Sequence, residues 1–303
     1  MVEIGSGTDV ERAAAAARAG CASAGIAVTD IDPLSGGYLG GNFLASTSVG
    51  RLVLKLRPQP RPLAVARTAS HLMSGRGLAH STVVAGPLPT PAGWLLVTRW
   101  LPGSALAEAP GWEQAGAERF GYDFGRWLRT LHTIRLRHGA WLPRARWRFD
   151  AKLADCLDRG LIDDALAGRL RRFWADAEPA IADAPLTLIH RDLQPGNVVL
   201  DGGRLRGVID LEQARLGDPL YDLVKPADRV FPLHPAIAPA FWRAYAGAEP
   251  DAAQRRRLAV VFALEYLSAL VYFAKHGDGV ELSDRAARLR RLLDGDALPG
   301  TGD

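Results

Sequence analysis

His190-Arg-Asp-Leu-Gln-Pro-Gly-Asn197 sits between two short apolar runs, Thr187–His190 and Asn197–Leu200, and its reading decides the fold. Asp192 and Asn197 lie five positions apart on one loop, close enough to face a single cavity, and Pro195-Gly196 supplies the tight turn that points Asn197 inward. The chain continues through Val208-Ile-Asp-Leu-Glu-Gln-Ala-Arg-Leu-Gly-Asp-Pro219, where an apolar run, Leu205–Asp210, ends on an acid. Returning antiparallel, that strand brings the Asp210 carboxylate opposite Asn197. An amide oxygen facing a carboxylate is a hard, oxygen-only pair suited to Mg²⁺. A second carboxylate that holds no metal, Asp192, is then placed to orient an attacking hydroxyl or take its proton. Singly, each feature has a plain structural explanation, as a cap, a turn or a loop end. Eight residues in order, followed by a second acidic strand end 13 positions on, point instead to chemistry.

Upstream, Arg51-Leu-Val-Leu-Lys-Leu56 reads as a strand carrying Lys55. The glycine-rich stretch Ser35-Gly-Gly-Tyr-Leu-Gly-Gly-Asn42 falls one strand before it, and glycines let a backbone approach phosphates with free N–H groups. A helix with Asp9 as N-cap covers most of the first 25 residues, and Ile26–Arg57 reads as an antiparallel meander. A short helix over Leu63–Met73 and a strand over Gly93–Leu101 follow. Pro102-Gly103 then closes a small lobe, 1–101, from a larger one, 102–303. Beyond it, helical spacing of apolar residues predicts helices over Ala115–Thr133, Phe149–Arg159, Leu166–Asp183 and Arg255–His276. The expected class is α+β and bilobal, an antiparallel-sheet lobe followed by a mainly helical one.

Composition narrows the function. Of 303 residues, 48% are hydrophobic and 23% charged, as in ordinary globular chains. No apolar run of 18 residues is free of charge, Gly or Pro, and no basic stretch leads into an apolar segment at the N-terminus, so no membrane span and a cytoplasmic location are expected. Two cysteines, Cys21 and Cys156, support neither a disulfide framework nor a zinc site. The net charge of +4 lies wholly in the first third: residues 104–303 hold 28 basic and 28 acidic side chains, and no acid occurs between Pro33 and Ala107. A single-sign segment without a dense basic block suits a small anionic ligand better than nucleic acid.

These motifs resemble the aminoglycoside phosphotransferase/choline-kinase-like family, the small-molecule branch of the protein-kinase-like fold, over about residues 26 to 275. The resemblance implies that Asp192 is the catalytic aspartate, that Asn197 and Asp210 are Mg²⁺ ligands, and that His190 and Arg191 brace the loop. It implies that Gly36, Gly37, Gly40, Gly41 and Asn42 cover the nucleotide, ATP or GTP. Lys55 would contact its phosphates, and Thr98, Arg99 and Trp100 would form the hinge that reads the base. Asp218 and Asp222, in the segment after the metal aspartate, would tie the loop down. Protein kinases are a poor match, because Asp210 is followed by Leu211-Glu212 and only 11 residues separate it from Asp222. The family's strand lysine is paired by a glutamate on the next helix, and here that helix offers only Thr68, Ser70 and His71. Either phosphates and a neutral partner place Lys55, or a carboxylate reaches it from elsewhere.

The acceptor is expected to be a small hydroxylated molecule bound by the helical lobe, with Glu212, Asp228, Trp242, Tyr245, Glu265, Tyr266, Tyr272 and His276 as candidates. That lobe is charge-balanced and aromatic, which favours a macrolide, nucleoside or peptide antibiotic, or a sugar, over a polycation. The expected activity is phosphoryl transfer from a nucleoside triphosphate to an antibiotic or natural product, by a monomer or homodimer. The alternatives are a metabolic kinase for homoserine, choline, a sugar or an amine, and a nucleotide-binding pseudoenzyme.

Overall fold

The computed structural model describes residues 7–34, 41–109, 111–135, 141–182 and 184–295. In chain order the elements are α1 (Gly7–Ser23), β1 (Val28–Pro33), β2 (Asn42–Thr47), β3 (Gly50–Arg57), α2 (Pro60–Ser74), β4 (Val83–Thr90), β5 (Gly93–Arg99) and β6 (Ser104–Ala105). Then come α3 (Gln114–Leu131), α4 (Leu142–Asp158), α5 (Asp164–Ile181), β7 (Thr187–Ile189), β8 (Val198–Asp201), β9 (Arg204–Val208) and β10 (Arg215–Gly217). The chain ends with α6 (Val224–Arg229), α7 (Ile237–Tyr245), α8 (Ala252–His276) and α9 (Gly279–Asp294). Two compact units result: residues 1–110 with 196–215, and 111–195 with 216–303.

In the first unit, five strands form one antiparallel sheet in the order β1-β2-β3-β5-β4. Side chains alternate along β3: Leu52, Leu54 and Leu56 are buried with Phe43, Ala45, Leu95 and Val97 beneath Ala13, Ala17 and Cys21 of α1. Lys55 and Arg57 therefore share the other face. α2 packs against β4, β5 and the 3₁₀ turn Leu211–Gln213, burying Leu63, Ala66, Ala69 and Met73. A second sheet, β6-β8-β9, completes this unit. There Gly103, at φ +132°, passes so close to the Leu200 carbonyl that no Cβ fits. The expected α1 boundaries shift slightly: the helix starts at Gly7, so Asp9 lies in its first turn, where it accepts from Arg12.

The second unit is helical. α3 and α7 approach through Gly121 and Gly125, whose missing side chains leave room for the Ile237 and Phe241 carbonyls. Phe120, Phe124, Phe231, Phe241, Trp242 and Tyr245 form a continuous aromatic core there. α8 is long and apolar enough to cross a membrane by length and composition; 56% of its most apolar window is buried, and the helix packs on α4, α5 and α9. A capping box at Asp251 and Gln254 starts it three residues before the expected Arg255.

Candidate active site

Asn197 and Asp210 are brought together by the β8–β9 hairpin. Val198 pairs with Val208, and the Ile209 N–H donates to the Asn197 carbonyl at 3.0 Å. β9 ends at Val208, two residues before Asp210, which adopts φ 65° and turns the chain into Leu211–Gln213. A non-glycine residue in that region is held there by its surroundings, and such positions cluster at functional sites. Asn197 is buried, whereas the Asp210 side chain is 38% exposed. Lys55 Nζ lies 2.8 Å from Asp210 Oδ1 and 3.2 Å from Glu212 Oε1, so carboxylates two residues apart reach the lysine from the end of the hairpin. The open alternative is thereby decided: acids from elsewhere in the chain pair Lys55. Ser70 of α2, in a stretch where the family carries its glutamate, hydrogen-bonds His80 at 3.0 Å and accepts from the Val83 N–H.

Asn42 is the cross-strand neighbour of Lys55. Its Oδ1 is buried without a hydrogen-bond partner among the described residues. Gly41 has φ +72°, and a Cβ there would sit 3.0 Å from the Leu56 carbonyl, so the bare backbone is required. Gly36, Gly37 and Gly40 lie outside the described residues. At the proposed hinge, the Arg99 and Trp100 N–H groups donate to Thr82 O and Arg51 O, and Arg99 O accepts from Ser81. Thr98 is buried, and its hydroxyl reaches Val53 O at 3.5 Å. These positions carry hydrogen bonds within the protein.

The loop bearing Asp192 belongs to the second unit. Asp222, buried, accepts from the His190 N–H at 2.8 Å and the Arg191 N–H at 2.5 Å, and lies 3.2 Å from His132 Nε2. The Asp192 N–H donates to His190 Nδ1 at 3.2 Å. Arg191 has φ 70°. Asp218 caps the turn at Leu220 and is gripped by Arg257 at 2.7 and 3.1 Å.

The candidate acceptor residues are largely committed within the protein. Glu212 is taken by Arg57 as well as Lys55. Glu265 accepts from Tyr221 at 2.7 Å and Arg191 at 3.3 Å, with Arg148 and Lys225 nearby. Burial works to raise its pKa, but Arg191, Lys225, the Tyr221 hydroxyl and Arg148 together hold it down at about 2. Asp228 is paired by Arg285 at 2.7 Å and Arg288 at 3.0 Å, with the Tyr266 hydroxyl 3.4 Å away. Trp242 and Tyr266 are buried, Tyr245 hydrogen-bonds His132, and Tyr272, 38% exposed, stacks on His276. Glu212, Asp228 and Glu265 are each ion-paired with arginine within the protein.

A family model described as "Phosphotransferase enzyme family" matches residues 30–258. The chain belongs to this family. Among curated relatives, homoserine kinases from Brucella canis and Brucella suis are 29% identical over 215 residues, 65% of this chain; the match spans 62% of their length. Solved structures share the fold. A macrolide 2'-phosphotransferase type I superposes with a TM-score of 0.67 at 20% identity, covering 94% of this chain and 97% of that one. A thermostable mutant of aminoglycoside phosphotransferase APH(4)-Ia, in ternary complex with ADP and hygromycin B, gives 0.70 at 17% identity, covering 91% and 97%. The bilobal kinase-like class expected from the sequence is thus the one this family member adopts.

The residues present fit the family's requirements. Asn197 and Asp210 offer the oxygen donors that Mg²⁺ takes beside phosphate oxygens and water. The Gly41 backbone and Lys55 suit a polyphosphate. Arg57 and Tyr221 went unrecognised as site residues. The alternation of β3 was the available signal for Arg57, two positions after Lys55.

Proposed function

We propose that this chain transfers the γ-phosphoryl group of ATP or GTP to a hydroxyl of a small molecule in the cytoplasm, the acceptor being an antibiotic or natural product. The observation that carries this reading is the joining of Asn197 and Asp210 in one hairpin, with Lys55 2.8 Å from Asp210. Asp192 orients the acceptor hydroxyl and takes its proton as the new O–P bond forms and the bond from the γ-phosphorus to the bridging oxygen breaks, releasing the nucleoside diphosphate. The Asp222 hydrogen bonds to the His190 and Arg191 backbones hold the Asp192 loop in place. Lys55 and the N–H groups of the glycine-rich loop bind the phosphates and stabilise charge on the transferring group. Asn197 and Asp210 would hold Mg²⁺, which neutralises phosphate charge when bound. Asp228 and Glu265, the helical unit's candidate acids, are paired with arginines, which leaves them less available to a polycationic acceptor. This favours a macrolide-like, nucleoside or sugar acceptor.

A second reading, a metabolic kinase for homoserine, is favoured by the 29% identity to homoserine kinases. One experiment separates them. The purified protein is incubated with Mg²⁺ and ATP or GTP against macrolides, nucleoside antibiotics, aminoglycosides, sugars, choline and homoserine, and products gaining one phosphoryl group are sought by mass spectrometry. An antibiotic product lost in Asp192→Ala supports the first reading, and phosphohomoserine alone supports the second. Absence of nucleotide binding overturns both.

A further inference from the structure

β3 places Arg57 on the same face as Lys55, two positions on. Arg57 is 4% exposed, a depth at which an unpaired guanidinium is not tolerated. Its Nε donates to Glu212 Oε2 at 2.8 Å and its Nη2 to Glu212 Oε1 at 2.7 Å, a two-pronged grip that fixes the plane of the carboxylate. The same Oε1 is 3.2 Å from Lys55 Nζ. α2 contains no acidic residue to do this work. Of the two carboxylates on Lys55, Asp210 is 38% exposed and is the group assigned to the metal, whereas the Glu212 side chain is 4% exposed.

We propose that Arg57 is a positioning residue for phosphoryl transfer, gripping Glu212 so that this carboxylate, delivered from the turn after Asp210, holds Lys55 toward the nucleotide in place of a helix glutamate. The charge arithmetic explains why an arginine is needed. Lys55 with Asp210 and Glu212 alone would carry one net negative charge, which repels a phosphate, whereas Arg57 brings the four side chains to neutrality. The proposal rests on the nucleotide-binding reading above.

The test is a mutant cycle on nucleotide affinity, measured by calorimetry with Mg-ATP and Mg-GTP, with thermal unfolding recorded for every variant. Arg57→Met with Glu212→Gln removes both buried charges at once and leaves neither unpaired. The expected result is nucleotide binding weakened about tenfold with a folded-state transition retained. In a Lys55→Met background the same pair of changes should add nothing, because the residue being positioned is gone. Arg57→Lys, which keeps the charge without the two-pronged grip, should weaken binding by a smaller factor and serves if the double variant does not fold. Unchanged affinity in the folded variants, or a loss that adds in full to that of Lys55→Met, overturns the positioning role while leaving the phosphotransferase reading intact. A wild-type protein that binds neither nucleotide overturns both together.

Discussion

Lys55 Nζ and Asp210 Oδ1 lie 2.8 Å apart, joining the third strand of the first sheet to a residue 155 positions later. Each group satisfies the other, and each is assigned to the nucleotide: the lysine to its phosphates, the aspartate to its metal. Asp210→Ala should therefore lower Mg²⁺-dependent transfer by at least about 10³-fold. Steady-state turnover with the identified acceptor checks this, and near-normal activity would remove Asp210 from the site.

In the proposed reaction Asp192 acts on the acceptor and not on the nucleotide. Asp192→Asn should lower kcat by roughly 10²- to 10⁴-fold while nucleotide affinity stays close to that of the wild type. Calorimetry beside turnover separates the two effects; a parallel loss of nucleotide binding would contradict the assignment.

Glu265 ties acid stability to the catalytic loop through Arg191. Its pKa is held at about 2 in the folded chain against 4.5 for the free side chain. The folded value lies below the unfolded one, so the stabilisation is present above the unfolded value and is lost as pH falls through that interval. It amounts to about 3 kcal/mol at neutral pH. Urea unfolding should show Glu265→Gln well below wild type at neutral pH, with the gap closing between about pH 5 and pH 2. A gap that does not change with pH would show that Glu265 contributes by packing alone.

Gly125 and Gly116 lie on the same helix and should respond oppositely to alanine. A Cβ at Gly125 would press on the Phe241 carbonyl and on Ala244, so Gly125→Ala should cost roughly 1–3 kcal/mol. At Gly116 the nearest atom is Trp112 Cε3 at 3.6 Å, and Gly116→Ala should gain up to about 1 kcal/mol from helix propensity. Chemical denaturation of the two variants checks the contrast.

What the sequence shows of this molecule is what local pattern encodes. The alternation of Leu52, Leu54 and Leu56 marks β3, and the order of residues from His190 to Asn197 marks the loop, because both are consequences of neighbouring positions. The Arg57–Glu212 pair leaves no such mark: neither residue is unusual where it stands, and only the fold joins them. Glu212, Asp228 and Glu265 read in the sequence as candidate acceptor contacts in a charge-balanced region. Their arginine partners come from β3, α9 and the catalytic loop, which periodicity cannot connect. α4 begins at Leu142, seven residues before the expected Phe149, because its first turns expose Arg144, Arg146 and Trp147 and hide the apolar spacing.

The hairpin at 198–208 counts with the N-terminal residues although more than eighty residues intervene. Ser104 and Ala105 pair with Leu200 and Val199, and Ser81 N–H donates to Val208 O. A polypeptide stopped at residue 109 would carry the five-stranded sheet but leave β6 with no strand beside it and Lys55 without either carboxylate. The remaining segment, produced separately, would carry β8 and β9 with an open edge prone to aggregation. No single cut divides this molecule into two self-sufficient pieces. A truncated gene product should therefore be recovered folded only when the missing portion is supplied in trans.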